Sequence, residues 1–453
     1  MKRARIAIAS AIVLLLCLCV ALLSSGIAIP GSQAVSSHEL GSETQPKDAL
    51  PGEGGDAETL QRAPLNPDFL DYLENPPEPF YGYIPPPMEL SHLQEIPVQR
   101  LEPLALQLTR SPLPADFDWR ATNNVTPVRD QGECGTCWLF GTLAAVESRV
   151  SIMDGVEYDF SEQNIACCTN SSWVYLTGNR CRGGGWSWLA ADTLTKKGTR
   201  LESCDPYDTS TINTSFCNEN CTAIKMLTGY RLITNKGSET DKIKDAIYNY
   251  GPVSIAFYFN ISYYNGSSYI YYYPNCPKYA NHLVTIVGWN NSIPHPGVNS
   301  SGAWIVKNSW GTGWGDNGYF YLCYGSGNMT EVASYDYRAY NPAEQVYYWD
   351  EAGWVGNAGF IGTGNDSSWM ASVFTSLQDG NLTYVDFWTT SNNASYELYV
   401  YNGSLYGSEL TNQSGTCNES GYYSIQLTSS VSLTNGQQFT VAVNMTTPGY
   451  NWP

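Results

Sequence analysis

Two cysteines stand three apart in the stretch DQGECGTCWLFG, Asp130 to Gly141: Cys134 and Cys137. That spacing serves three chemistries: half of a metal site, a redox dithiol, or a structural cysteine beside a nucleophilic one. A closed zinc site needs a second pair of ligands, and Cys217 and Cys221, spaced C-x3-C, are the pair on offer. Only four histidines occur in the whole chain, however, and cysteines of exported chains usually oxidise. A thioredoxin-like dithiol follows a strand in a βαβ setting, whereas NNVTPVRDQG ahead of Cys134 is turn-rich.

The nucleophile reading has positive support. Cys137 opens a helical pattern, where the helix dipole and free N–H groups favour a thiolate. A working thiol also needs a base, a group that holds the base, and donors for the oxyanion. His282 in NHLVTIVGW is the candidate base and Asn308 in WIVKNSWGTGWGDNGYFYL the candidate orienter. Gln131, six residues before the thiol, is placed to send an amide N–H into the same site.

The elements that must position these residues are legible. Leu139, Leu143, Val146 and Val150 recur at helical intervals behind Cys137, with Gly141 the one poor helix former. ETDKIKDAIYNYG reads as a second helix ending at Gly251. PVSIAFYF, HLVTIVGW, AWIVKNSW and GYFYLCY read as strands bounded by turns. A helix-rich half followed by a strand-rich half predicts an α+β domain of two lobes with a cleft between them. From about Asn341, short alternating runs (SVFTSL, LTYVDFWTT, SYELYVY, YYSIQL, FTVAVNM) are separated by DGN, NGS, NES and TNG turns. They predict an all-β sandwich or barrel, its aromatic stripes read as core. The end at TTPGYNWP, just after a strand, leaves open whether this domain is incomplete.

The chain has 453 residues, enough for two or three domains, and 43% are hydrophobic, enough to bury a core. A net charge of −19 makes nucleic acid an unsuitable partner. Lys2, Arg3 and Arg5 precede the apolar run Ile6 to Leu23, and small residues follow at Gly26, Ala28, Ser32 and Ala34. This is the pattern of a signal peptide over residues 1–34; an uncleaved anchor is the alternative and the only route to a membrane. Sixteen N-x-S/T matches agree with an exported glycoprotein. Thirteen cysteines less Cys17 and Cys19 leave eleven, so one lacks an intrachain partner. Residues 35–110 are rich in Pro and Glu and form a pro-segment or linker that cannot pack a core alone.

Taken in order, TPVRDQGECGTCWLFGTLAAVES, SEQNIACC, CRGGGW, YGPVSIAF, NHLVTIVGW and WIVKNSWGTGWGDNGYFYL resemble the papain family of cysteine peptidases. His282 lies about 145 residues after Cys137, inside the family's window. The resemblance covers about Pro112 to Ala339 and implies a papain-like catalytic domain over residues 111–340, with a helical lobe and a β-barrel-like lobe. It implies that Cys137 is the nucleophile, His282 the base and acid, Asn308 the residue fixing the imidazole, and Gln131 the oxyanion-hole amide. Trp310 matches the indole that shields the His–Asn hydrogen bond. Gly183 and Gly184 match glycines that pair with extended substrate; Ala256 and Leu283 lie where the family lines the S2 pocket. Cys134 matches a cysteine that bridges to the position of Cys181, and Cys168 one that bridges forward, to Cys217. Adjacent Cys167 and Cys168, with Cys204, Cys221, Cys276 and Cys323, do not all map onto the usual bridges, so their pairing stays open. The family's long helical pro-region is absent as a pattern, and PPPMELSHL is the segment expected in the cleft. No metal or cofactor is implied.

Residues 341–453 resemble, less specifically, the lectin-like domains that follow papain-like domains in some microbial secreted proteins. That implies binding to cell-surface glycans. The reading is a secreted or cell-surface cysteine endopeptidase, made as a zymogen, acting on protein or peptide substrates. The competing readings are an inactive glycan-binding adhesion protein and a thiol transpeptidase.

Overall fold

Why a glycine should interrupt the helix behind Cys137 is answered by its neighbours. The helix runs Cys137–Asp154. A Cβ on Gly141 would stand 2.4 Å from Leu283 Cδ2 and 3.1 Å from the Leu283 backbone. The hydroxyl of Thr285 donates to the Gly141 carbonyl at 2.8 Å. Helix and strand thus meet backbone to backbone, an approach only glycine permits. The stripe at Leu139, Leu143, Val146 and Val150 is fully buried. So are Thr142, Ala145, Glu147 and Ser148, so the helix is covered on every side instead of along one face.

The computed structural model describes residues 3–8, 60–76, 80–95, 112–170, 179–277, 279–360 and 366–452. Helices Glu162–Cys168 and Ser187–Lys197 pack beside the central helix. Across the cleft, strands Lys225–Thr234, Thr330–Ala339, Val253–Phe257, His282–Pro294, Ser301–Lys307 and Tyr319–Cys323 follow one another in a sheet. Helix Thr240–Tyr250 packs on that sheet and ends at Gly251, whose φ of 113° suits glycine. Among the described residues the order of this sheet has two free ends, so the expected barrel-like lobe is not seen as a closed ring.

The C-terminal region is all β. Ser367–Thr375, Gln438–Thr446, Ala394–Asn402 and Glu409–Cys417 form a four-stranded antiparallel sheet in that order. Gly380–Thr389 pairs with Gly421–Leu433 in the larger sheet. Side chains from both sheets, among them Val385, Leu398 and Val443, fill one apolar core.

The two regions share a sheet. Tyr422 pairs with Tyr230, joining Gly421–Leu433 to Lys225–Thr234. Arg231 lies over the Tyr423 ring, 3.6 Å from its centroid. The indole N–H of Trp188 donates to the Trp354 carbonyl at 2.9 Å, and the two rings stack 5.7 Å apart.

Residues ahead of Leu113 pack against both regions. Helix Pro67–Glu74 is capped by Asn66, which accepts from the Asp68 N–H at 2.9 Å, and buries Phe69 and Tyr72 against Ile84. Leu60–Arg62 pairs with Ala358–Phe360, and the His92 ring stacks on Tyr450 at 3.5 Å. Of the expected signal, Arg3–Ile8 forms a strand parallel to Gly380–Thr389. Residues 9–34 lie outside the described residues. Among those described, no helix is long and apolar enough to cross a membrane.

Candidate active site

Cys137 is the first residue of its helix, so its own N–H is one of the donors that a helix leaves unpaired. That N–H points at the Tyr81 carbonyl, 3.4 Å away, and the Gln131 side-chain amide donates to the same oxygen at 2.9 Å. Gln131 is itself held: its Oε1 accepts from the Ser309 hydroxyl at 2.7 Å, and its Nε2 also donates to the Cys134 carbonyl at 2.8 Å. Two converging donors on one carbonyl oxygen are what an oxyanion site requires.

From the sheet side, His282 opens the strand His282–Pro294 and is fully buried. Its Nε2 lies 2.8 Å from Asn308 Oδ1. The same Oδ1 accepts the Ser309 N–H at 2.9 Å, which fixes the orientation of the amide. Nε2 is therefore the donor, and Nδ1, buried without a hydrogen-bond partner among the described residues, is the basic nitrogen. The Trp310 indole stacks on the imidazole at 4.7 Å and 14°. The Leu283 N–H donates to Cys137 Sγ at 3.3 Å, which brings the thiol to the start of the histidine's strand.

Tyr81 covers this arrangement. Its ring lies 5.2 Å from the His282 ring and 5.0 Å from that of Trp310. Cys137 and His282 are both fully buried beneath it, and the electrostatics follow. Burial pushes the Cys137 thiol well up, against the smaller help of the Leu283 and Trp138 N–H groups. Burial pulls His282 down to about 4, against the bond to Asn308. In this covered form the neutral pair is favoured, where the resting reading of such a site is thiolate and imidazolium.

The segment that crosses the site is Phe80–Ile84, the residues just before the expected PPPMELSHL; Pro85 to Leu93 continue from it, burying Met88, Leu90 and Leu93. Its pairing falls on Gly185, one residue beyond the two glycines singled out in the sequence. The Ile84 N–H donates to the Gly185 carbonyl at 3.0 Å, and the Gly185 N–H to that of Gly82 at 2.9 Å. Gly183 instead closes the short helix Arg180–Gly183, its N–H donating to Asn179 at 2.6 Å. A Cβ on Gly184 would stand 2.7 Å from the Gly82 carbonyl oxygen. Ala256 and Leu283 are fully buried in the cluster that also holds Tyr83 and Cys137.

Disulfides join Cys134 to Cys181, Cys168 to Cys217 and Cys204 to Cys221. Cys217 and Cys221, the second half of a zinc site on paper, are both spent. Among the described residues five thiols stay free where counting left one: Cys137, Cys167, Cys276, Cys323 and Cys417. Cys323 and Cys417 are buried and serve as small apolar residues.

Sequence reasoning missed Tyr81, Tyr83, Ser309 and Glu331. One signal for the first two was present: Gly82, between two tyrosines in a Pro-rich run, has φ 118°, and a Cβ there would stand 2.3 Å from the Gly135 carbonyl group.

Residues 113–340 match the model of the papain family cysteine proteases, and residues 346–453 that of the lectin like domain. Cathepsin S of Bos taurus is 32% identical over 225 residues, 49% of this chain and 64% of its own. Cysteine proteinase 3 of Entamoeba histolytica is 38% identical over 229 residues, 48% of this chain and 66% of its own. The chain thus spans slightly less than two thirds of the length of these relatives. Among solved structures, the cysteine protease and lectin-like domains of Cwp84, a surface layer associated protein of Clostridium difficile, share the fold. The TM-score is 0.70 at 23% identity, over 85% of this chain and 84% of that one.

Proposed function

The chain belongs to the papain family of cysteine proteases and carries a lectin-like domain behind the catalytic one, and from that premise we propose that it is an exported endopeptidase made as a zymogen. The observation that carries this reading is the Tyr81 carbonyl held by the Gln131 amide and the Cys137 N–H. A backbone carbonyl occupies the place where a scissile one must bind, above a free thiol and a buried imidazole.

In the proposed reaction, residues up to about 110 are removed and water reaches the cleft, so the Cys137–His282 pair gains the solvation that favours its charged form. The thiolate attacks the carbonyl carbon of a peptide bond. Gln131 Nε2 and the Cys137 N–H stabilise the oxyanion. His282 Nδ1, oriented through Nε2 by Asn308 and shielded by Trp310, gives its proton to the leaving amine. It then takes one from water, which hydrolyses the thioester and frees the thiol. Cys134, tied to Cys181, stabilises the loop before the helix and takes no part in bond breaking.

The catalytic unit is assigned to residues 111–340 and the C-terminal unit, a β-sandwich of two sheets on one core, to residues 341–453. That unit is proposed to hold the enzyme on cell-surface glycans; the surface layer association of Cwp84 is consistent with such a place. The test is hydrolysis of a peptide library by the full chain before and after removal of the pro-segment, with Cys137→Ala alongside. Cleavage by the processed wild type alone supports the reading; equal cleavage by Cys137→Ala contradicts it. Product analysis with added amine separates hydrolysis from transpeptidation.

A further inference from the structure

Glu331 is the second residue of the strand Thr330–Ala339 and is buried. Its φ of 50° is in the left-handed region, rare for a residue with a side chain. The strand breaks register there: Thr330 faces Ala256 but Ala333 faces Ser254. Such a break re-aims a side chain. The Glu331 N–H donates to Asn235 Oδ1 at 3.1 Å, which pins the unusual backbone. The carboxylate is thereby turned to the apolar cluster between the lobes, where Oε2 accepts from the Ser187 hydroxyl at 3.1 Å. Its other oxygen, Oε1, accepts from the hydroxyl of Tyr83. Tyr83 is the residue of the covering segment that forms a parallel bridge with Gly185, two residues beyond the carbonyl held over Cys137.

Removing the pro-segment leaves an apolar pocket with an acceptor at its base. Resting on the peptidase reading, we propose that Glu331 makes this pocket a tyrosine-reading subsite: a peptide is cleaved faster when the side chain replacing Tyr83 ends in a phenolic hydroxyl than when it is phenylalanine. A hydroxyl restores the bond that Tyr83 made. A phenylalanine fills the pocket but leaves a buried acceptor unpaired, the situation in which polar sites discriminate most strongly.

The test uses the processed full chain and peptide pairs that differ only by Tyr or Phe at this subsite, with Lys and Arg as further arms. The wild type is expected to favour Tyr by about tenfold or more in kcat/KM. Glu331→Gly suits the left-handed backbone and deletes the carboxylate. It is expected to bring the Tyr-to-Phe ratio to within about twofold. Glu331→Gln keeps an acceptor and is expected to keep most of the preference. Equal rates in the wild type, an unchanged ratio in Glu331→Gly, or faster cleavage of Lys or Arg peptides overturns the proposal while sparing the peptidase reading. If no peptide is cleaved, the peptidase reading falls, and binding decides the role of Glu331. A peptide of residues 80–93 carrying Tyr83→Phe must then bind wild type more weakly than the natural peptide, and Glu331→Gly equally, or the proposal falls too.

Discussion

The side-chain amide of Gln131 and the backbone carbonyl of Tyr81 are hydrogen-bonded at 2.9 Å. Two segments about fifty residues apart in the chain thus meet at the point proposed for the oxyanion. The bond is backbone-directed, so it depends on the path of the covering segment and not on the identity of residue 81.

Gln131→Ala is expected to lower kcat of the processed enzyme by about 10²–10³ and to change KM little, because the amide acts on charge that develops only in the transition state. Steady-state kinetics on one peptide checks it. A fall confined to KM would mean that Gln131 binds ground-state substrate only.

Gly82→Ala is expected to unseat the covering segment. The added Cβ would stand 2.3 Å from the carbonyl carbon and oxygen of Gly135, and the φ of 118° excludes an unstrained alanine. Thiol alkylation of the unprocessed variant should be at least tenfold faster than of unprocessed wild type, on the order of 1.4 kcal/mol lost from the closed state. Equal rates would show that this seat does not protect Cys137.

The pH dependence has a definite sign. His282 falls from its ordinary value to about 4 in the covered protein, so the folded chain binds fewer protons than the unfolded one between about 4 and 6.5. The stability tied to this group is fully present above about pH 6.5 and is lost as pH falls through about 4. Tm of the unprocessed chain should therefore drop on acidification through that window, and His282→Gln should show a shallower drop. Because burial pushes the Cys137 thiol up, its alkylation in the unprocessed chain should set in only above the ordinary thiol range and move to lower pH after processing.

Trp354→Ala is expected to cost about 3–5 kcal/mol. The side chain is 1% exposed and stacks on Trp188, across the boundary between the two regions. Calorimetry should show a lower Tm and separation of the transition into two. A single unshifted transition would show that the shared sheet does not couple the regions.

Much of the site was legible because the chemistry demands particular residues at particular spacings. Cys137 at a helix start, His282 opening a strand, and Asn308 and Gln131 near them needed no contact map. The helix Thr240–Tyr250 and the strands around His282 followed from periodicity and turns. Less legible was Glu409–Cys417, whose run ELTNQSGTC has no alternation because it is an edge strand facing solvent. The strand Lys225–Thr234 was hidden because it is buried on both faces, with helices Ser187–Lys197 and Thr240–Tyr250 packed on it and Gly421–Leu433 paired along its edge, and so shows no period of two. The covering segment shows no periodicity for a related reason. Its apolar residues, Tyr83, Met88, Leu90 and Leu93, form no core of their own but complete the core of the catalytic lobes. Glu331 offered no signal at all, since its role arises from a register break and a left-handed backbone that composition does not show.

The most direct measurement is mass-spectrometric mapping of a thiol-reactive epoxide on the full chain before and after removal of the pro-segment. The account predicts one adduct, on Cys137, formed only after removal, with Cys167, Cys276, Cys323 and Cys417 unmodified. An unreactive Cys137 in the processed protein, or an adduct on another thiol in its place, would contradict it.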